Sequence, residues 1–110
     1  MVTQISLDAA RILADVADDK RFFCQDGRVI KNLTELVDCL TDMTEEVFYH
    51  HVTSEKNDFS NWIRDVFGDD KLAGEMSGIG TPREAARIVK ARLVSLQMNR
   101  EQQRRSKKKR

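Results

Sequence analysis

Residues 57–69 read Asn-Asp-Phe-Ser-Asn-Trp-Ile-Arg-Asp-Val-Phe-Gly-Asp, and this stretch holds the clearest structural pattern in the 110-residue chain. Its apolar side chains recur at the spacing of one face of an amphipathic helix, at Phe59, Trp62, Ile63, Val66 and Phe67. Asn57 or Asp58 is expected to cap the start of this helix. Gly68 is expected to end it, because glycine tolerates the left-handed conformation found just past a helix C-terminus. The stretch predicts a helix that supplies most of the aromatic core.

Three further helices are predicted before this stretch, each from a capping residue followed by apolar residues at helical spacing. Ser6 is expected to cap a helix over residues 7–18. Asn32 is expected to cap a helix of about three turns, with a glutamate three residues later that completes a capping box. Thr44, followed by two glutamates, is expected to cap a helix that runs to Val52.

Two helices are predicted after it. Asp69 is expected to cap a short helix. Residues 81–84, Thr-Pro-Arg-Glu, combine an N-cap, a proline at the first helical position and a glutamate at the third, so the last helix is expected to start there. The apolar seam of that helix consists of Ala86, Val89, Leu93 and Leu96. No apolar residue follows Met98, so residues 99–110 are expected to be a basic tail that is disordered when free.

A β-hairpin is predicted where two short apolar runs, residues 22–24 and 29–30, flank Asp26-Gly27. An Asp-Gly pair in this setting is typical of a type I′ turn, which needs positive φ at both central residues. A two-stranded ribbon is marginal alone and has to pack on helices. The sequence therefore predicts one mainly α domain over residues 1–98, a compact bundle of five to six helices with one short β-hairpin near residues 22–30 and a long basic C-terminal helix or tail.

The charge of the chain is divided between an acidic body and a basic end. Residues 1–80 hold 8 Lys and Arg against 16 Asp and Glu, a net of −8. Residues 81–110 hold 11 Lys and Arg against 2 Asp and Glu, a net of +9. Such an end is suited to contact a polyanion. The candidate contact residues are Arg100, Arg104, Arg105, Lys107, Lys108, Lys109 and Arg110.

Composition and spacing argue against several classes of protein. The apolar runs are far shorter than the roughly 20 residues that span a bilayer, and the N-terminus lacks the features of a signal peptide, so a cytoplasmic protein without membrane contact is expected. Cys24 and Cys39 lack a metal-ligand spacing and are expected to be buried free thiols. No catalytic constellation, metal site, cofactor or small-molecule substrate is predicted, so the chain is not expected to be an enzyme.

Two polar features need a structure to interpret them. His50 and His51 would point about 100° apart on a helix and are poorly placed to chelate one metal ion, so one is expected to pack inward and the other to face solvent or a carboxylate. Asn57 and Asp58 precede Trp62 at a spacing that suits either a polar site beside an aromatic platform or a helix cap beside a core tryptophan.

The chain resembles a family of small uncharacterised helical domains found mainly in archaea and some bacteria. The resemblance covers about residues 20–75 and is most specific between His50 and Asp69. The matching residues are Asp26-Gly27-Arg28, Lys31-Asn32-Leu33, Glu35-Leu36, Met43, Glu46-Val47-Phe48, His50-His51-Val52, Asn57-Asp58-Phe59, Asn61-Trp62 and Val66-Phe67-Gly68-Asp69. The resemblance implies a prokaryotic helical domain without an established activity. It also implies a polar feature shared by the family, which is either a functional site or a structural latch. Its residues are His50, His51, Asn57, Asp58 and Trp62.

Three functions remain open at this point. The first is a non-enzymatic binding or adaptor module whose basic arm contacts nucleic acid or another polyanion. The second is a protein-interaction domain, either a homodimer through the seam of the last helix or a binder of an acidic partner through the tail. The third is a small-ligand or metal site around His51, Asn57 and Asp58. The split of charge favours the first.

Overall fold

The computed structural model describes residue 10 and residues 12–108, with side chains described as far as residue 98. These residues form the predicted mainly helical fold with a single two-stranded hairpin. The elements are β1 (Phe22–Phe23), β2 (Val29–Ile30), α1 (Leu33–Thr41), α2 (Glu45–His51), α3 (Asp58–Trp62), α4 (Asp70–Met76) and α5 (Pro82–Lys108). A 3-10 turn (Asp18–Lys20) precedes β1, and a π-helical turn (Ile63–Phe67) follows α3.

The hairpin is present, but its turn differs from the predicted type I′. β1 and β2 pair antiparallel, with Phe22 opposite Ile30. Cys24 exchanges backbone hydrogen bonds with Gly27 and Arg28, which leaves a three-residue connection. Only Gly27, at φ 99°, has positive φ in this turn, so the prediction of two such residues is wrong. A three-residue turn needs one left-handed residue, and glycine supplies it without strain.

Five predicted capping residues hold the helix starts. The side-chain oxygen of each accepts a backbone N–H three residues later, at 2.7–3.2 Å. These residues are Asn32, Thr44, Asn57, Asp69 and Thr81. Asn57, rather than Asp58, is thus the cap of α3. The caps fix where each helix begins and therefore how its apolar face is aimed.

The spacing of the aromatic stretch predicts one uniform helix, but the structure departs from this. α3 passes after Trp62 into the π-helical turn, which ends at Gly68 in the left-handed conformation at φ 70°. The wider turn keeps Trp62, Ile63 and Phe67 buried together. Gly68 ends the helical stretch, as predicted.

The helix predicted over residues 7–18 is shorter where it lies within the described residues. Helical backbone there reaches only to Leu13, and residues 14–17 are not helical. The N–H of Val16 donates to the carbonyl of Lys31 at 2.8 Å, and Asn32 donates to Asp15 at 2.7 Å. These tertiary hydrogen bonds to the end of the hairpin replace those of a further helical turn. The predicted cap Ser6 lies outside the described residues.

The last helix, α5, closes the core against α1 and α4. Its predicted seam is buried inside the same chain, with Val89 fully buried and Leu96 4% exposed. Leu96 is the last buried residue of α5 among the described side chains. The backbone of α5 continues to Lys108, and the loss of order expected for residues 99–110 in the free chain stays a prediction. No helix within the described residues has the length and apolar character to cross a membrane.

A partly buried ion pair joins α5 to the start of α4. Arg92 donates from Nε to Asp69 Oδ2 at 2.8 Å and from Nη2 to Oδ1 at 3.2 Å. The side chain of Asp69 is 2% exposed and that of Arg92 21%. Asp69 Oδ1 also accepts the N–H of Leu72 as the cap of α4. The Asp69 carboxylate therefore caps α4 and also binds α5 through Arg92.

Replacing Arg92 with methionine is expected to lower the free energy of unfolding by about 3 kcal/mol or more, because Asp69 is then left as a buried, unpaired charge. Urea unfolding followed by circular dichroism measures this. The matched control is Arg87→Met on the same helix, since the Arg87 side chain is 72% exposed and its loss is expected to cost less than ~0.5 kcal/mol. Equal effects of the two substitutions would contradict this role for the pair.

Candidate functional site

The buried imidazole of His51 lies at the centre of the predicted polar feature. Its Nε2 is 3.0 Å from the backbone nitrogen of Gln25, and its Nδ1 is 3.0 Å from Asp58 Oδ2. The ring is 5.1 Å from the ring of Phe22 and 5.2 Å from that of Phe59, measured between centroids. His51 therefore joins the hairpin to α2 and α3 through both of its nitrogens.

The partners of His51 determine which nitrogen carries the proton. The Gln25 N–H is a donor, so Nε2 has to be the bare, accepting nitrogen. Nδ1 then carries the proton and donates to the Asp58 carboxylate. In this tautomer both nitrogens of His51 are satisfied, so the ring has no free lone pair for a metal ion or a substrate proton.

Asp58 is held in its ionised form. Burial alone would raise the pKa of this carboxyl, but hydrogen bonds from His51 and Lys56 outweigh burial and lower the pKa below its usual range. The Lys56 ammonium lies 3.1 Å from Asp58 Oδ2, the oxygen that also accepts from His51. A carboxylate with a depressed pKa stabilises the fold when the pH is above the ordinary pKa of the group. This stabilisation is lost as the pH falls through the lowered pKa.

The other predicted members are also engaged in structural hydrogen bonds. Asn57 accepts from Ser60 and donates from Nδ2 to the carbonyl of Met76 at 2.9 Å. The indole N–H of Trp62 donates to the carbonyl of Lys20 at 2.7 Å. These contacts tie α3 to the end of α4 and to the turn before the hairpin.

His50 stands apart from this network. Its ring lies 5.0 Å from that of His51, but the residue is exposed, and none of the described side-chain hydrogen bonds involves it. Every buried side-chain nitrogen and oxygen among the described residues has a hydrogen-bond partner. We therefore interpret His51, Asn57, Asp58 and Trp62 as a latch that joins the hairpin, α2, α3 and α4.

A second candidate surface is the groove between α1 and α5. Its volume is about 670 Å³, and apolar side chains form much of it, including Val37, Leu93 and Val94. Three basic side chains line it from α5: Arg83, Arg87 and Lys90. Asp38 of α1 is the one acidic residue in its lining among the described residues. The groove thus combines apolar contact area with positive charge.

The predicted polyanion-binding residues lie outside the described side chains. Arg100, Arg104, Arg105, Lys107 and Lys108 are on the described backbone of α5, and Lys109 and Arg110 lie beyond it. The structure adds the basic residues of α5 that precede them. The helical period, followed back along the sequence from the tail, is the signal that places these residues on the same face.

The structure also brings together three residues that the sequence spacing kept apart. Cys24, Asp26 and Cys39 have side-chain sulfur and oxygen atoms that all lie within 4.8 Å of one another. Burial raises the pKa of the Cys39 thiol to about 12, and burial also raises that of Cys24. A side-chain hydrogen bond from Arg28 lowers the pKa of Asp26 to about 2.

Fold and latch together define a small helical domain whose hairpin is fastened to its helices by a buried, hydrogen-bonded histidine. The chain belongs to the Family of unknown function (DUF5752), whose model matches residues 17–98. The predicted membership of an uncharacterised family is confirmed, and the match extends past residue 75 to the part of α5 that packs on the body. Comparison with curated proteins and with solved structures finds no match.

Replacing His51 with glutamine is expected to destabilise the fold by about 2 kcal/mol, because the Gln25 N–H or Asp58 loses its buried partner. Chemical unfolding measures the change. His50→Gln is the matched control and is expected to stay within ~0.5 kcal/mol, because His50 is exposed. If His51→Gln is as stable as the wild type, the histidine is not a latch, and a functional role returns to consideration.

Proposed function

We propose that the protein is a non-enzymatic binding module whose C-terminal helix contacts a polyanion, with nucleic acid as the class of partner. The observation that carries the proposal is the basic face of α5. Arg83, Arg87 and Lys90 are spaced four and three residues apart and therefore share one face of the helix. All three are exposed.

The basic face has few local counterions. Arg87 has Glu84 at 4.0 Å, whereas neither Arg83 nor Lys90 has a carboxylate within ion-pair distance in the part of the chain that the structure describes. By helical register, Arg105 and Lys108 fall within about 40° of the Arg83 direction. The basic face of the body is thus continuous in register with the basic residues beyond Met98.

The shape of the domain suits an electrostatic arm. α5 has 27 residues, about 40 Å of helix, and its last described buried residue is Leu96. Among the described side chains the core thus closes at Leu96, and we propose that the basic residues after it contact the partner. No aromatic residue accompanies the basic residues from 81 to 110, so contacts to phosphates, without base stacking, are expected.

An acidic protein is the second candidate partner, and the groove between α1 and α5 favours it. Its apolar side chains and its basic residues fit an acidic amphipathic helix better than a bare phosphate backbone. The seam version of a homodimer is not supported, because Ala86, Val89, Leu93 and Leu96 are buried within their own chain. A cytoplasmic location in a prokaryote belongs to this proposal and is supported by two free thiols, Cys24 and Cys39.

The expected result is salt-dependent binding of labelled duplex DNA or single-stranded RNA, measured by fluorescence anisotropy. Arg83→Glu with Lys90→Glu should weaken binding and reduce the slope of log K against log salt by about 2, since each residue neutralises one phosphate. A chain ending at residue 98 should lose most of the affinity. It keeps every described buried residue, so it is expected to fold.

The matched control is Lys20→Glu with Arg64→Glu, which makes the same change in net charge at exposed residues that lie outside α5 and outside the grooves beside it. This variant should bind as the wild type does, apart from a small uniform loss. Equal losses in both double variants would mean that net charge, rather than the face of α5, governs binding. No binding by the full chain at low salt would overturn the proposal and favour the acidic protein partner.

A further inference from the structure

Two buried cysteines from different elements face each other beneath the hairpin turn. Cys24 directly follows β1 and is 6% exposed, and Cys39 lies in α1 and is 2% exposed. Their sulfur atoms are 4.0 Å apart. The carboxylate of Asp26, in the hairpin turn, has an oxygen within 4.8 Å of both sulfurs. The fold thus places two thiols and a carboxylate around one point.

This spacing matches that of ligands around a tetrahedral thiophilic ion. Zinc–sulfur bonds of about 2.3 Å place two tetrahedral sulfur ligands about 3.8 Å apart. The observed 4.0 Å differs from that separation by a small side-chain adjustment. We propose that Cys24, Cys39 and Asp26 bind one Zn²⁺ ion per chain, with a solvent molecule in the fourth position.

The local backbone explains why Asp26 can reach the thiols. The Gly27 N–H donates to the carbonyl of Cys24 at 2.9 Å, which folds the turn back over the strand end. The Arg28 N–H donates to Asp26 Oδ1 at 3.0 Å, which holds the carboxylate beside the two thiols. The tight turn that only glycine allows at residue 27 therefore also sets the third ligand.

Arg28 supplies the outer layer that such a site needs. Its guanidinium donates to Asp26 Oδ2 from Nε at 3.0 Å and from Nη2 at 2.7 Å. It also contacts Asp42 at 2.8 Å and the Cys39 carbonyl at 3.4 Å. Hydrogen bonds of this kind orient a ligating carboxylate and tune the ion.

The charges of the occupied site balance. Each thiol loses its proton as its sulfur binds the ion, so two protons are released for each Zn²⁺ bound. Two thiolates, one carboxylate, the divalent ion and the Arg28 guanidinium then sum to zero, which lowers the cost of burying the thiolates. A groove of about 240 Å³ reaches Cys39 from the surface, and its lining includes two carboxylates, Glu35 and Asp38, and the guanidinium of Arg28.

The test uses the full chain, reduced and stripped of metal with a chelator. Native mass spectrometry with added Zn²⁺ should show one ion per chain, and proton release in weak buffer should approach two per ion. Co²⁺ in place of Zn²⁺ should give a thiolate-to-metal charge-transfer band in the near ultraviolet. Because protons compete with the ion, affinity should rise with pH.

Three variants locate the ion. Cys39→Ser should abolish the charge-transfer band, with circular dichroism to check that the variant is folded. Asp26→Asn keeps the shape of the side chain and should weaken binding at least about tenfold, with the same check of folding by circular dichroism. Asp42→Asn is the matched control, since it removes the other carboxylate on Arg28 but no ligand, and its affinity should equal that of the wild type.

Two results would overturn the proposal. The first is the lack of any bound Zn²⁺ on the reduced wild-type chain at micromolar concentrations. The second is binding that survives both Cys39→Ser and Asp26→Asn, in which case His50→Ala would show whether the exposed histidine holds the ion instead.

Discussion

The bidentate contact between Asp69 and Arg92 is the interaction on which the arrangement of helices depends. Asp69 follows Gly68, which ends the π-helical turn, and its carboxylate caps α4 as well as holding α5. Asp69 is buried and Arg92 is partly buried, so the value of the pair lies less in net free energy than in the single geometry that satisfies both charges. Through this pair, the segment that supplies the aromatic core also fixes the orientation of α5. The orientation of α5 in turn fixes where its basic residues lie.

The hydrogen-bonded polar side chains of the latch hold the elements of this domain together. His51 satisfies the hairpin and α3 at once, Asn57 caps one helix and fastens the end of another, and Trp62 binds the backbone before β1. In the sequence alone such residues suggest a functional site, because histidine, asparagine and aspartate are common in catalytic and binding sites. The satisfied hydrogen bonds of the described residues favour a structural interpretation. The proposed contacts with a partner and with a metal ion use other residues, on the exposed basic face of α5 and at the two buried thiols.

Local rules account for most of what the sequence could predict. The five caps, the seam of α5 and the terminating Gly68 each depend on residues within one or two turns, so their patterns predict them. Three features depend on tertiary contacts and escaped prediction. Residues 14–17 leave the helix to bond the hairpin, the stretch after Trp62 widens into a π turn, and Cys39 meets Cys24 across elements. The divided charge of the sequence indicates α5 as a binding element. The groove beside α5 could not be predicted, because it forms only when α1 packs against α5.

Hydrogen–deuterium exchange along α5, in the free chain and with saturating duplex DNA, tests the central claim most directly. The claim is that the acidic body positions the basic helix and that this helix alone meets the polyanion. It predicts slow exchange as far as Leu96 in the free chain, faster exchange beyond it, and a gain in protection confined to α5, and largest past Leu96, when DNA is added. Protection that appears instead at the hairpin and α2, or that leaves α5 unchanged, would contradict it.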